Sequence, residues 1–133
     1  MNKLETRLHN FGNALQRLKE AEMELRQNEN QHIKGILRDG VIQRFEFTYE
    51  LAWKATKAYL EDMGITDKNS PKAVLKEAYA QLLITRENNW LLMLSDRNLT
   101  SHVYSEEMAE EITSRITSLY IKEFEQLLSE LRS

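Results

Sequence analysis

Three side chains close together in the chain have the chemistry to work on a phosphodiester without a metal: Arg97, His102 and Tyr104. A guanidinium is charged at every relevant pH and grips a phosphate through two parallel hydrogen bonds. An imidazole titrates near neutrality, so it can take a proton from a ribose 2′-hydroxyl or return one to a leaving oxygen. Together they form a minimal set for cleaving RNA, in which the arginine neutralises the phosphate in the transition state and the histidine moves the proton. The stretch Asp96-Arg97-Asn98-Leu99-Thr100-Ser101-His102-Val103-Tyr104 also admits a plain structural reading. In that reading Arg97 pairs with Asp96 or with a glutamate of the following helix, and His102 sits near a helix N-terminus.

Other constellations carry less. Glu29 and His32 have the E-x-x-H spacing of di-iron bundles, but such sites need a second copy of the motif and two more glutamates, and no second copy is present. No metal site is expected. His9 follows Leu8 in no polar cluster and reads as a surface or boundary residue. Ser95, Asp96 and His102 have the residue types of a hydrolase triad, yet no nucleophile elbow or strand surrounds them. The pairs Glu106-Glu107 and Glu110-Glu111 fit the opening turns of a helix, where carboxylates suit the helix dipole. Trp53 and Trp90 read as core or boundary residues, and Met23, Met63, Met93 and Met108 as core filler.

A chain of 133 residues fits one domain, 1–133, able to bury a real core. Its 41% hydrophobic and 29% charged residues are those of a folded globular protein. Net charge is -3, which excludes a strongly basic nucleic-acid coat but not a local cationic pocket. The absence of cysteine removes disulfides, thiolate zinc sites and thiol nucleophiles. No signal-peptide pattern opens the chain and no apolar run is long enough to span a bilayer, so a cytoplasmic setting without membrane contact is expected. The 4 glycines and 1 proline are too few for an all-β domain, and the glycines are too scattered for a phosphate-binding loop. No cofactor is implied.

What must position the candidate residues is therefore helical. Leu4, Leu8, Phe11, Leu15, Leu18 and Leu25 follow the alternating three- and four-residue steps of one buried helix face, interrupted by Glu22. After a polar link over residues 27–31, a long helix from about Ile33 to Met63 carries two apolar rows, including Phe45 and Tyr49 in one and Phe47 and Leu51 in the other. Such a wide face suits a bundle centre or a contact with a second copy. Gly35 and Gly40 soften its start, and Gly64 caps its end with Ile65 following. Ser70-Pro71 opens a third helix with Val74, Leu75, Ala78, Tyr79, Leu82 and Leu83 inward. A short fourth covers about Glu87–Leu94 or a few residues beyond, Asp96–Ser105 is at least partly irregular, and Ser105 opens the last helix. The expected fold is all-α: an antiparallel up-and-down helical bundle of four long helices plus a short one, homodimer-forming.

The element R-x4-H-x-Y at Arg97, His102 and Tyr104 resembles the motif of HEPN-domain proteins, specifically the HepT-like group, also described as nucleotidyltransferase substrate-binding proteins. Two further blocks match in order: Val41-Ile42-Gln43-Arg44-Phe45-Glu46-Phe47-Thr48-Tyr49-Glu50-Leu51-Ala52-Trp53-Lys54, and Ser70-Pro71-Lys72-Ala73-Val74-Leu75-Lys76-Glu77-Ala78. The resemblance implies a homodimeric antiparallel bundle in which the arginines and histidines of two subunits face one another across a cleft. It implies a cognate minimal nucleotidyltransferase as partner, acting as antitoxin to a metal-independent endoribonuclease toxin. Arg97 and His102 would then be catalytic and Tyr104 a candidate for adenylylation. Asn98 fits the polar residue that commonly follows the arginine, and Asp96 the acidic residue that often precedes it. The alternatives left open are a non-catalytic subunit that binds a nucleotide or other substrate for the nucleotidyltransferase, and a purely structural helical partner. With net charge -3, bulk attraction cannot hold RNA. Any affinity would be local, weak and salt-sensitive.

Overall fold

The structure, a computed structural model, describes residues 1–100 and 105–133. Among them every regular element is helical: α1 (Lys3–Gln27), α2 (Gln31–Asp62), α3 (Pro71–Ala80), α4 (Glu87–Leu99), α5 (Glu106–Arg115), a π-helical turn (Ile116–Tyr120) and α6 (Ile121–Arg132). The starts are set by side chains that accept from otherwise unpaired N–H groups. Asn2 accepts from Glu5 at 2.8 Å, Asn30 from His32 at 3.0 Å and Ile33 at 3.2 Å, Ser70 from Ala73 at 3.3 Å and Ser105 from Met108 at 3.1 Å. Gly64 closes α2 with φ +90°. There the Ile65 N–H reaches the Leu60 carbonyl and the Gly64 N–H the Glu61 carbonyl, both at 2.9 Å, the paired bonds of a left-handed helix cap.

Neighbouring arms run antiparallel. Along α1 and α2, Lys3 meets Glu61 and the Arg17 carbonyl meets Arg44. Along α1 and α6, Lys19 meets Glu125 and Gly12 lies against Leu128 and Arg132. Along α4 and the last arm, Asn89 meets Glu123 and Asp96 meets Arg115. Their apolar faces share a core in which Phe124 is central. Its ring meets Phe11 edge-on at 6.0 Å, Trp90 edge-on at 5.6 Å and Phe45 at 6.2 Å, and so ties α1, α4 and α2 to the last arm. Phe45 in turn stacks on Tyr120 at 5.4 Å. No helix among the described residues is long and apolar enough to cross a membrane.

Several local expectations change. The link between α1 and α2 is only residues 28–30, and α2 runs unbroken through Gly35 and Gly40, because Asn30 caps it and both glycines have open space around them. Glu22 does not break the α1 seam. It is buried, and its carboxylate accepts from Arg26 at 2.6 Å and from Thr117 at 3.3 Å, so a polar contact with the last arm stands where an apolar one was due. Met23 and Met63 are half exposed rather than core filler, whereas Met93 is fully buried. Helix α4 continues through Leu99, since Thr100 closes it, its N–H on the Asp96 carbonyl and its hydroxyl on the Arg97 carbonyl.

The third helix ends at Ala80, so Leu82 is not on its inner face. Leu82 is 74% exposed and takes φ +62°. Its N–H bonds the Tyr79 carbonyl and the Leu83 N–H bonds the Ala78 carbonyl, a helix cap that ordinarily uses glycine. A leucine in this left-handed conformation costs about 1 kcal/mol. Leu82→Gly is therefore expected to raise unfolding stability by about 1 kcal/mol, read as a higher urea midpoint at unchanged slope. An unchanged midpoint would show that the exposed leucine offsets its own strain.

Candidate functional site

The last turn of α4 carries two adjacent residues with opposite surroundings. Asp96 is 1% exposed and points into the bundle. Its two oxygens accept from the Arg115 guanidinium, Nε and Nη2 each at 2.8 Å, and from the Tyr120 hydroxyl at 2.5 Å. Asp96 thus pairs with Arg115 of α5, not with Arg97. A bidentate arginine–carboxylate pair with a third donor fixes the carboxylate in position and direction. The π-helical turn makes the triple contact available. Residues five apart on a regular helix lie about 140° apart, but the Ile121 N–H bonds the Ile116 carbonyl five residues back, and that wider turn brings Tyr120 round to the side of Arg115. Burial, and then the bond to Asp96, push the Tyr120 phenol pKa up, and the bonds to Asp96 hold Arg115 yet more firmly charged.

Asp96 is thus a buried anchor rather than part of any surface a ligand would touch. The other end of α4 is held in the same manner. Glu123 of α6, 2% exposed, accepts from Arg86 at 2.9 Å and from Asn89 at 2.8 Å. With both ends pinned to the last arm, the rotation of α4 is set, and so is the direction in which Arg97 leaves it.

Arg97 turns the other way, toward α2. Its Nη1 lies 3.5 Å from Glu46 and its Nη2 3.7 Å from Glu50. These are ion-pair distances rather than hydrogen bonds, and the side chains are about a quarter to a third exposed. The Arg97 Nε is buried and has no hydrogen-bond partner among the described residues. Beside it the Tyr49 hydroxyl is buried with no partner among those residues. Burial raises the Tyr49 pKa, Glu50 adds to the rise and Arg97 opposes it. The Arg97 side chain borders a groove of about 690 Å³ between α1 and α2, with Arg17, Arg44, Phe47, Glu46 and Glu50 around it. Three guanidinium groups against two carboxylates leave this groove cationic on an acidic chain.

Asn98 is exposed on the same turn. His102 and Tyr104 lie outside the described residues. His9 is exposed and bonded to Asn13 at 3.1 Å, and His32 is exposed in the first turn of α2. Neither approaches Arg97. Sequence reasoning missed Glu46 and Glu50. Their signal was the spacing of Gln43, Glu46, Phe47 and Glu50 at i, i+3, i+4 and i+7, one face of α2, within a block singled out only for its resemblance.

A family model for chains like the nucleotidyltransferase substrate binding protein matches residues 6–133. A probable ribonuclease HepT of Haemophilus influenzae is 36% identical over 104 residues, 75% of this chain and 70% of that protein. The Haemophilus influenzae protein HI0074, whose structure reveals the fold of a substrate binding domain of a nucleotidyltransferase, superposes with TM-score 0.83 and 28% identity, covering 95% of this chain and 99% of its own. A toxin–antitoxin structure with AMP-PNP shares the fold at TM-score 0.79 and 17% identity, covering 100% of this chain and 99% of that one.

Two predictions follow from the geometry. Asp96→Asn weakens the anchor and leaves Arg115 without its counter-charge. It is expected to cost about 2–3 kcal/mol, below the range for fully buried pairs because Arg115 can partly rehydrate, measured by urea unfolding. Tyr49 and Tyr120 both favour the neutral phenol in the folded state. Stability from them is complete below the ordinary phenol value near 10 and declines as pH rises above it, when the unfolded chain ionises first. Alkaline unfolding curves should thus be less steep in Tyr49→Phe. That variant should be neutral or more stable at pH 7, since it removes a buried hydroxyl that makes no bond among the described residues.

Proposed function

The chain belongs to the HepT-like family of nucleotidyltransferase substrate-binding proteins, and from that premise we propose that it is the helical subunit of a two-component nucleotidyltransferase system and cuts RNA without a metal. Arg97 carries the reading. Its helix is locked from beneath by Asp96, and its guanidinium borders a cationic groove in loose ion pairs that a phosphate can displace.

In the proposed reaction Arg97 binds the non-bridging oxygens of the scissile phosphate and neutralises the charge that grows there. The ribose 2′-oxygen forms a bond to phosphorus, the bond from phosphorus to the 5′-oxygen breaks, and a 2′,3′-cyclic phosphate and a free 5′-hydroxyl result. His102 takes the 2′-hydroxyl proton or supplies the one needed by the 5′-oxygen, and water carries the other transfer. Asn98, beside Arg97, is assigned to the same RNA-binding turn, while Asp96 serves it from below. Two copies facing one another would bring two such sites to one cleft. The partner is a cognate minimal nucleotidyltransferase, with Tyr104 as the acceptor of an adenylyl group: its phenol oxygen loses its proton and bonds the α-phosphorus of ATP, the α–β anhydride bond breaks, and pyrophosphate leaves. The toxin–antitoxin structure with the same fold supports this type of assembly.

A second reading has its own support. The family's description is that of a substrate-binding protein, and a phosphate-binding arginine needs no proton transfer to bind. The two separate in a chelator-treated RNA digestion with and without the partner. For a nuclease, wild type cuts, while Arg97→Ala and His102→Ala each lose at least about a hundredfold in rate, the scale set by removing one charge-stabilising donor or a general acid–base group. For a binding subunit, RNA stays intact and Arg97→Ala weakens nucleotide binding. Equal cutting by wild type and both variants removes Arg97 and His102 from the mechanism.

A further inference from the structure

The groove beside Arg97 holds features that cleavage alone does not require. Phe47 is 60% exposed in the middle of α2, although Phe45 and Tyr49 on either side of it are fully buried. Arg17 and Arg44 have no carboxylate within ion-pairing distance among the described residues, since Glu46 and Glu50 both face Arg97. Arg44 is already oriented, its Nη1 donating to the Arg17 carbonyl at 2.8 Å. An uncovered aromatic ring and two guanidinium groups that form no ion pair among the described residues thus share one groove with Arg97, of about 690 Å³.

We propose that this groove is a subsite for a nucleotide adjoining the phosphate held by Arg97, with its base stacked on the Phe47 ring and its phosphate held by Arg17 and Arg44. Every base has a face that stacks on an aromatic ring, and guanidinium groups follow the backbone, so a site built this way takes single-stranded nucleic acid with little regard to sequence. The proposal rests on the RNA reading above and narrows it to single-stranded RNA running across α2 toward α1. Its alternative occupant is a second copy of the chain. A second copy seated on the groove itself would bury the Phe47 ring and exclude the strand, and the test separates the two occupants.

The test is fluorescence anisotropy of a labelled single-stranded oligoribonucleotide carrying 2′-O-methyl groups, which cannot be cut because no free 2′-hydroxyl remains. It is run with the intact strand and with one containing abasic positions, at several salt concentrations. Phe47→Leu is expected to weaken binding of the intact strand about tenfold, and to bind the abasic strand as wild type does. Arg17→Gln, at a side chain that makes no hydrogen bond or ion pair among the described residues, is expected to lower the slope of log affinity against log salt by about 0.7, the value for one phosphate contact on a single strand. Wild-type binding that is unchanged in Phe47→Leu overturns the subsite. So does a Phe47→Leu chain that elutes as a smaller species than wild type in size-exclusion chromatography, since the ring would then belong to a subunit contact. Failure of wild type to bind any strand at low salt overturns the RNA reading as well. Arg97-dependent cutting with full affinity in Phe47→Leu overturns the subsite alone.

Discussion

A buried carboxylate has to be matched, and the bundle matches Asp96 with a bidentate guanidinium and a phenol. Leaving such a group unpaired in the interior is among the costliest faults a small fold can contain. The requirement therefore constrains everything near it. It sets the register between α4 and α5, and the π-helical turn is the backbone's way of placing both donors on one side. It also sets the rotation of α4. Since neighbouring residues on a helix point about 100° apart, an Asp96 locked inward sends Arg97 out toward α2. The acidic residue beside Arg97 is thus held inside the bundle, where it fixes the direction in which Arg97 leaves α4.

Local charge and total charge separate in this molecule. The chain is acidic overall, with net charge -3, yet the groove between α1 and α2 gathers Arg17, Arg44 and Arg97 around Glu46 and Glu50. At physiological ionic strength a charge is felt over about 8 Å. An anion near the groove therefore responds to these five groups more than to the carboxylates of distant faces. An acidic surround also discourages indiscriminate attachment to nucleic acid, and favours binding only where the groove's own contacts are made.

Much of this was legible in the sequence, and the reasons for the rest are physical. Periodicity found the helices because each buries one stripe, and Ser70-Pro71, Ser105 and Gly64 marked their ends because caps are local chemistry. Arg97 was legible for the same reason, as its chemistry is carried by residue type. The partners were not. Whether Asp96 meets Arg97 one residue away or Arg115 nineteen residues on is decided by how α4 docks on α5, and no local pattern encodes that. The π-helical turn was invisible because Ile112, Ile116, Leu119 and Tyr120 keep the three- and four-residue steps of an ordinary helix face. Glu22 and Leu82 misled for a common reason. Each breaks a local rule, an apolar seam in one case and a glycine cap in the other, and the tertiary fold accepts the exception.

The two carboxylates that face Arg97 bear on the proposed chemistry. At 3.5 and 3.7 Å, and partly in water, each pair is worth at most about 1 kcal/mol. That is enough to hold an otherwise free guanidinium in the groove and too little to withhold it from a phosphate, whose charge and paired oxygens make stronger bonds. Glu46 and Glu50 thus act on Arg97 as a light restraint, limiting the rotamer entropy that binding must overcome.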